Sequence, residues 1–238
     1  MKADAKLVSN LIHEAVFGAD EQAKEKARAK IRELAAAERG IYLASIQGLY
    51  EASGKGLYKG KTVPAMNIRG ITFDTARAAF RAALKGKVGA MIFEIARSEI
   101  GYTLQRPAEY TACVLAAAIA EGYKGPVFMQ GDHFQINAGK YRADAQKESS
   151  AIKDLIREAI STGFYNIDID ASTIVDINKK TIAEQQEDNF RVTADMTKFI
   201  RSLEPKGVTV SIGGEIGEVG TTNSTVAVSF LLVPQRSF

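Results

Sequence analysis

The sequence predicts an α/β fold built on a parallel β-sheet. From residue 61 onward, short apolar runs typical of strands alternate with longer segments whose apolar residues recur at helical spacing. Strand–helix–strand alternation at this spacing indicates parallel pairing with right-handed crossovers. Two architectures satisfy the pattern, an open doubly wound sheet and a βα barrel. In both, the chemistry lies where strands end and βα loops begin.

Residues 1–60 are predicted to form a helical extension that precedes this alternation. The stretch ADEQAKEKARAKIRELAAAERG is rich in Ala, Glu, Lys and Arg, and it ends at Gly40, a natural helix stop. His13 lies in an earlier helical run without other metal-binding residue types nearby. We therefore expect His13 to be a solvent-facing or loosely packed helix residue rather than a metal ligand.

Five strands with intervening helices are predicted in residues 61–220, which we interpret as the main βα region. The strands are residues 62–68, 88–95, 125–131, 165–170 and 207–214. The helices begin in the segments FDTARAAF, PAEYTACV, SAIKDLIR and TIAEQQED. Residues 221–238 form an atypical tail, because they lack the charged, helix-periodic composition that follows each earlier strand.

Composition and charge exclude several classes of protein. The net charge of +3 is small beside 31 basic and 28 acidic residues, so it gives no indication of nucleic-acid binding. No apolar run approaches membrane-spanning length, and the amino terminus lacks the apolar region of a signal peptide. The single Cys113 cannot form an internal disulfide. We expect a cytoplasmic protein without membrane or nucleic-acid partners.

The fourth predicted strand, YNIDID, carries acids where a buried strand should be apolar. Side chains alternate along a strand, so Asn166, Asp168 and Asp170 share one face. A central parallel strand is normally buried on both faces, so two carboxylates there require a cation, a proton or dense hydrogen bonding. The alternative is an edge strand whose polar face meets solvent.

The ends of other strands carry similar residues. Glu215 follows two glycines at the end of the fifth strand, and Glu94 lies on the second. Asp132 and His133 are adjacent, so they can face one site only if the third strand ends there and the chain turns into a loop. Histidine and carboxylates from three strand ends could bind a metal ion, and zinc is the leading candidate. A neighbouring Asp could then transfer a proton to a reacting oxygen.

From about residue 61 to residue 220, the chain resembles the class II, metal-dependent ketose-bisphosphate aldolases, the fructose- and tagatose-bisphosphate aldolase family. VPAMNIRGITFD resembles the family's first strand, PVFMQGDHFQ its His-x-Asp-His segment, GFYNIDIDAST its fourth strand and GGEIGEVG its fifth. The resemblance implies a (β/α)8 TIM barrel, of which about five βα units are present. It implies a lyase that cleaves a ketose bisphosphate to dihydroxyacetone phosphate and an aldehyde phosphate. It is also compatible with assembly of the chain as a homo-oligomer.

The resemblance also implies a role for each candidate residue. Asp132 would be the catalytic acid/base that acts on the hydroxyl at the bond being broken. His133 would bind the catalytic Zn²⁺, and Asp170 and Glu215 match acids that hold the metal in an alternative position. Asn67, at the end of the first strand, would contact the phosphorylated ketose substrate.

The chain departs from the family pattern at several positions. Gln130 stands where the third-strand motif has its first His, and Glu94 and Ala96 stand where the second strand usually has Gln and Ser. The family places two further zinc-binding histidines on its sixth and seventh strands, whereas no histidine follows His133. Three more βα units would need about a hundred additional residues. We therefore expect a chain truncated, or changed in reading frame, near its carboxyl end.

Two alternatives to an active zinc aldolase follow from these departures. Because His133 alone remains of the three zinc-binding histidines, we expect little aldolase activity and weak zinc binding from the chain as given. The first alternative is a non-catalytic family member or inactive fragment that acts only by associating with a partner chain. The second, a Schiff-base aldolase, is disfavoured because no predicted strand carries an interior lysine.

Overall fold

The computed structural model describes residues 5–38 and 40–217, which leaves the predicted tail at residues 221–238 outside the described residues. The strands are β1 (Ile41–Ala44), β2 (Ala65–Asn67), β3 (Ile92–Ala96), β4 (Gly125–Gln135), β5 (Asn166–Asp170) and β6 (Ser211–Gly214). The helices are α1 (Ala5–Phe17), α2 (Glu21–Glu33), α3 (Gln47–Gly54), α4 (Thr72–Gly86), α5 (Arg97–Thr103), α6 (Pro107–Glu121), α7 (Ala138–Ala143), α8 (Ala145–Ser161) and α9 (Ile182–Leu203).

The strands form one parallel sheet, which confirms the predicted α/β fold class. Its order is β2-β3-β4-β5-β6, so the five predicted strands are adjacent in chain order. The crossover helices α4, α6, α8 and α9 contact one another in sequence. A doubly wound sheet would instead reverse its strand order and cover both faces. The fold is therefore of the βα-barrel type, and its sheet is not closed within the described residues.

Strand β1 corrects the expectation that residues 1–60 are entirely helical. It pairs with the amino-terminal half of β4, from Ile41 opposite Gly125 to Ala44 opposite Phe128. Phe128 pairs with β3 on its other side, so β1 lies on the β5 side of β4. A run of four residues between helical segments is too short to show a strand period. The domain boundary near residue 60 stays a prediction.

The first two helices pack against α6, whose residues are buried around most of its circumference. Arg28 on α2 is buried, and it connects all three helices. Its Nε donates to the carbonyl oxygen of Ala15 at 3.0 Å, and its Nη2 donates to Oε2 of Glu109 at 3.2 Å. These acceptors satisfy a cation that would otherwise be costly to bury. His13 is exposed on α1, as expected.

None of the helices in residues 5–38 and 40–217 combines the length and the apolar character needed to cross a membrane.

Candidate active site and metal centre

A β-bulge in β4 brings Asp132 and His133 to one site. The pairing register with β5 shifts by one residue, so both of them lie opposite Asp168. His133 has a φ of 42°, in the left-handed region that non-glycine residues rarely adopt. The expectation that the strand ends here is therefore wrong, because β4 continues to Gln135. The extra residue, and not a loop, allows both side chains to face the same site.

Gly131 permits this bulge because the ring of Phe134 lies against it. A Cβ on Gly131 would lie 2.5 Å from Cζ of Phe134, closer than real side chains approach. Phe134 is fully buried, so its ring could move away only by disturbing the packed core. The local shape of β4 therefore depends on a glycine next to an aromatic residue anchored in the core.

Asp132, His133 and Asp168 form a group that could hold a metal ion. Each offers a ligand atom, and the three atoms lie within 4.8 Å of one another. Nε2 of His133 lies 3.8 Å from Oδ1 of Asp132, and Nδ1 lies 4.0 Å from Oδ2 of Asp168. One imidazole and two carboxylates suit a divalent transition metal. The residues present could therefore hold a divalent metal ion.

Asp170 lies behind this group and orients the imidazole. Its Oδ2 lies 3.0 Å from Nδ1 of His133 and accepts a hydrogen bond from Nε2 of Gln135 at 2.6 Å, while its Oδ1 accepts from the hydroxyl of Ser172 at 2.6 Å. Burial opposes ionisation, but these donors outweigh it and lower the pKa of Asp170. An ionised carboxylate only accepts, so Nδ1 of His133 carries the hydrogen and Nε2 remains for a metal.

Strand β5 is paired on both sides, with β4 and with β6, so the edge-strand alternative for YNIDID is wrong. Asn166 and Asp170 are each 1% exposed. Asn166 satisfies its polar atoms by accepting from the backbone N–H of Ile46 at 2.9 Å and donating to the carbonyl oxygen of Met129 at 2.9 Å. The polar face of this strand is therefore an interior face with dense hydrogen bonding.

The site carries excess negative charge. Burial raises the pKa of Asp168 to about 6, and Glu215 adds to this effect while His133 opposes it. Burial raises the pKa of Glu94 to about 7, with a further contribution from Asp132. Burial lowers the pKa of the His133 imidazole, but its bond to Asp170 and the nearby acids outweigh this and raise it. A bound cation would relieve this repulsion between carboxylates.

Glu215 lies just beyond β6, at the same edge of the sheet as Asp170. Its backbone N–H donates to the carbonyl oxygen of Ile169 at 3.3 Å. Its charge contributes to the raised pKa of Asp168, but its carboxylate is outside the metal-binding group found among the described residues. A Cβ on Gly213 would lie 2.6 Å from Oδ1 of Asp168, so this glycine leaves room for that carboxylate.

Asn67, at the end of β2, joins the site through Asp132. Its Nδ2 donates to Oδ2 of Asp132 at 2.8 Å and to Oε2 of Glu99 at 3.1 Å. The ends of β2 and β4 are thus connected by one chain of hydrogen bonds. The other carboxylate oxygen of Asp132, Oδ1, is the one that lies toward His133.

A cavity of about 640 Å³ opens beside Asn67, Asp132 and His133. Its volume suits a small-molecule substrate. Its walls also carry three cationic side chains, which belong to Arg69, Arg97 and Lys140. The cavity therefore places positive charge next to the acidic metal-binding group.

Two residues of the site were not assigned a role from the sequence: Asp168, which was noted only for its place on the polar face of its strand, and Glu99. Asp168 shares a strand face with Asp170, which is the signal in the sequence that could have identified it. The closeness of Asp168 to His133 depends on the bulge and could not be predicted. Glu99 is the third residue of α5, and its carboxylate accepts a hydrogen bond from the backbone N–H at the start of that helix. Its position in the sequence therefore predicts a helix cap, but it does not predict the contact with Asn67.

The comparison with protein-family models identifies the family of the chain. The family model described as fructose-bisphosphate aldolase class-II matches residues 51–234. The search of curated proteins gave no match. The matched region spans more than half of the chain and contains β2 to β6 with every candidate site residue. The family consists of carbon–carbon lyases that are generally metal-dependent and act on phosphorylated sugars. The chain belongs to the class II fructose-bisphosphate aldolase family.

Proposed function

We propose that this site performs reversible aldol cleavage of a ketose bisphosphate, with zinc, to give dihydroxyacetone phosphate and an aldehyde phosphate. The observation that carries the proposal is the bulge in β4, which gathers Asp132, His133 and Asp168, the first two of which line a cavity of about 640 Å³. An imidazole, carboxylates and a substrate-sized cavity are among the parts that this chemistry uses.

The proposed metal ligands are Nε2 of His133 and the carboxylate of Asp168, both of which belong to the metal-binding group, whereas Glu215, a ligand that the resemblance implies, lies outside that group. A divalent ion bound there would supply a Lewis acid for the ketose carbonyl. We place Asp170 behind these ligands, because both of its oxygens already accept hydrogen bonds. Direct binding of the ion by Asp170, the role that the resemblance implies, would require it to release one of those donors.

Asp132 is the proposed acid/base. Asn67 holds its Oδ2, so the carboxylate is fixed in orientation while Oδ1 remains toward the site. In the cleavage direction, Asp132 accepts the proton of the substrate hydroxyl as the neighbouring carbon–carbon bond breaks. In the condensation direction, it returns that proton to the oxygen of the aldehyde.

The cationic wall of the cavity supports a phosphorylated substrate. Arg97 donates to Oε1 of Glu148 at 2.5 Å, and Arg69 is paired with Glu99, so both charges are partly neutralised. Lys140 lines the same cavity, and its charge acts on the nearby Glu148, although the two form no salt bridge among the described residues. An ammonium group in this position favours a substrate that brings its own negative charge, such as a phosphate.

The second candidate function is that of a non-catalytic family member that acts through a partner chain. The observation that favours it is the ligand set. The chain has two histidines, and His13 lies on α1. His133 is therefore the single imidazole available to the site, whereas catalytic zinc in proteins more often has two or three nitrogen ligands.

Metal titration and a cleavage assay on the purified chain separate the two candidates. Zinc affinity is measured by calorimetry, and release of triose phosphates from fructose 1,6-bisphosphate and tagatose 1,6-bisphosphate is followed with zinc and with chelator. Turnover that chelator abolishes and zinc restores supports the lyase. Zinc binding without turnover of either sugar supports the non-catalytic function. Absence of zinc binding contradicts the proposed metal centre.

A further inference from the structure

Glu99, a buried acid on α5, makes contacts that a helix cap does not require. We propose that it is a positioning residue: it fixes the side-chain amide of Asn67 so that Asn67 holds Asp132 and turns its own oxygen toward the substrate. This inference rests on the proposed function, in which Asp132 is the acid/base.

Glu99 is 5% exposed, and its carboxylate accepts hydrogen bonds from three donors. Its Oε2 accepts from the backbone N–H of Ala96 at 2.8 Å and from Nδ2 of Asn67 at 3.1 Å. Its Oε1 accepts from Nε of Arg69. Burial opposes ionisation, but these donors outweigh it and lower the pKa of Glu99. Glu99 is therefore a charged group that can only accept hydrogen bonds.

Two carboxylates determine how the amide of Asn67 is oriented. Its Nδ2 lies 3.1 Å from Oε2 of Glu99 and 2.8 Å from Oδ2 of Asp132, so each of its two hydrogens meets one carboxylate. A flipped amide would lose both bonds and bring Oδ1 against two negative oxygens. Asn67 lines the cavity, so the fixed orientation leaves its Oδ1 to accept a hydroxyl hydrogen from a substrate.

Capping of α5 explains only one of these contacts. The bond from the N–H of Ala96 to Glu99 is a capping interaction within the first turn of the helix. The bond to Asn67 connects α5 with β2. Asn67 in turn donates to the carboxylate of Asp132, the proposed acid/base. A cap contributes to stability, whereas a residue that positions Asn67 alters turnover through Asn67.

A double-mutant cycle distinguishes these roles. Glu99→Met removes both acceptor oxygens, and we expect kcat to fall roughly tenfold to a hundredfold, with a smaller change in KM, because Asp132 loses its fixed orientation. In an Asn67→Ala background, the same substitution should change kcat less than about twofold. Glu99→Gln keeps an acceptor for Asn67 and should restore most of the activity lost in Glu99→Met.

The control for a structural effect is Thr103→Val. Thr103 donates from its hydroxyl to the carbonyl oxygen of Glu99 at 2.6 Å, so this variant weakens α5 without touching the Glu99 carboxylate. Its kcat should stay within about threefold of the parent. Equal losses from Glu99→Met in the parent and in the Asn67→Ala background would overturn the proposal.

A second measurement, NMR spectroscopy of the Asn67 side-chain amide, does not depend on turnover. In ¹⁵N-labelled protein, the side-chain signals of Asn67 are identified by their loss in Asn67→Ala. We expect two well-separated, exchange-protected proton signals that become similar and exchange faster in Glu99→Met. Unchanged signals would contradict the role of Glu99, whereas lack of turnover in the parent would contradict the aldolase proposal alone. If Glu99→Met fails to fold, Glu99→Asp, which withdraws the carboxylate by one methylene, should give the same spectral change.

Discussion

His133 combines an unusual backbone conformation with a fixed side chain. Its φ of 42° allows the ring to face Asp132 and Asp168, and Asp170 then holds Nδ1. Such strained residues persist only where the surrounding structure holds them, and they occur often at functional sites. The position of Nε2 therefore depends on Asp170 as much as on His133 itself.

Asp170→Asn should weaken zinc binding about tenfold to a hundredfold, the usual effect of losing a partner that orients a metal-binding imidazole. The amide is neutral and can present a donor to Nδ1, so the preferred tautomer of His133 changes. Calorimetric titration with zinc measures the change. Asp154→Asn, at an exposed acid on α8, is the matched control and should bind zinc like the parent. Equal affinities for the two variants would contradict the orienting role.

Glu94→Gln should alter how stability depends on pH in the metal-free protein. The folded pKa of Glu94 is about 7 and the ordinary value is 4.5, so the folded state retains a proton that the unfolded state has released. The free energy of unfolding should therefore fall as pH rises from about 4.5 through 7. Above pH 7 we expect Glu94→Gln to be more stable than the parent by about 1–2 kcal/mol, with no gain near pH 4.5.

Urea unfolding in chelator at several pH values tests this expectation. Glu33→Gln, at a mostly exposed position on α2, is the control and should give a curve parallel to that of the parent. A constant difference between Glu94→Gln and the parent across the pH range would show that the charge of Glu94 does not affect stability.

At the scale of elements, the sequence predicts the five main strands, their parallel order and the acids at their ends. It does so because strand and helix periods differ and because Asn166, Asp168 and Asp170 alternate with isoleucines. It does not predict the bulge, because the register of β4 depends on the ring of Phe134 packing against Gly131 in the folded core. Asp132 and His133 could therefore be anticipated as site residues, but the closeness of Asp168 to His133 could not.

Gly131→Ala tests the dependence of the site on the bulge. The added methyl group would collide with the buried ring of Phe134, so either the ring or the strand must move. We expect a loss of about 1–3 kcal/mol in the free energy of unfolding, together with weaker zinc binding. Urea denaturation and calorimetry measure the two effects.

Gly48→Ala is the matched control, because a Cβ there has no atom within 4 Å. Gly48 lies in α3, so alanine should leave stability unchanged or raise it by up to about 1 kcal/mol. Parent-like zinc affinity and stability in Gly131→Ala would mean that the bulge forms without the glycine.

At the scale of the whole molecule, the amino-terminal helices share one hydrophobic core with the sheet. Val8, Ile12 and Ile31 belong to the same buried cluster as residues of β3, β4 and β5. The buried Arg28 adds polar contacts to α1 and α6. We therefore expect these helices to unfold together with the sheet and not as a separate unit.

Ile31→Ala should lower the free energy of unfolding by about 2–4 kcal/mol, because Ile31 is 1% exposed and its truncation leaves a cavity in the shared core. The loss should appear in one cooperative transition, followed by both circular dichroism and tyrosine fluorescence. Lys30→Ala, at an exposed neighbouring position, should change stability by less than about 0.5 kcal/mol. Two separate transitions in Ile31→Ala would indicate that the amino-terminal helices fold independently.

The position of β1 beside β4 also constrains the order in which the chain can fold during synthesis. Ile41 leaves the ribosome long before Gly125, its partner, and a four-residue strand is not stable without a neighbour. The sheet therefore cannot grow strand by strand from the amino terminus. β4, which pairs with β1, β3 and β5, is the strand whose arrival joins early and late segments. Pairing over such sequence distance slows folding, so we expect the nascent chain to keep apolar surface exposed until β4 has emerged.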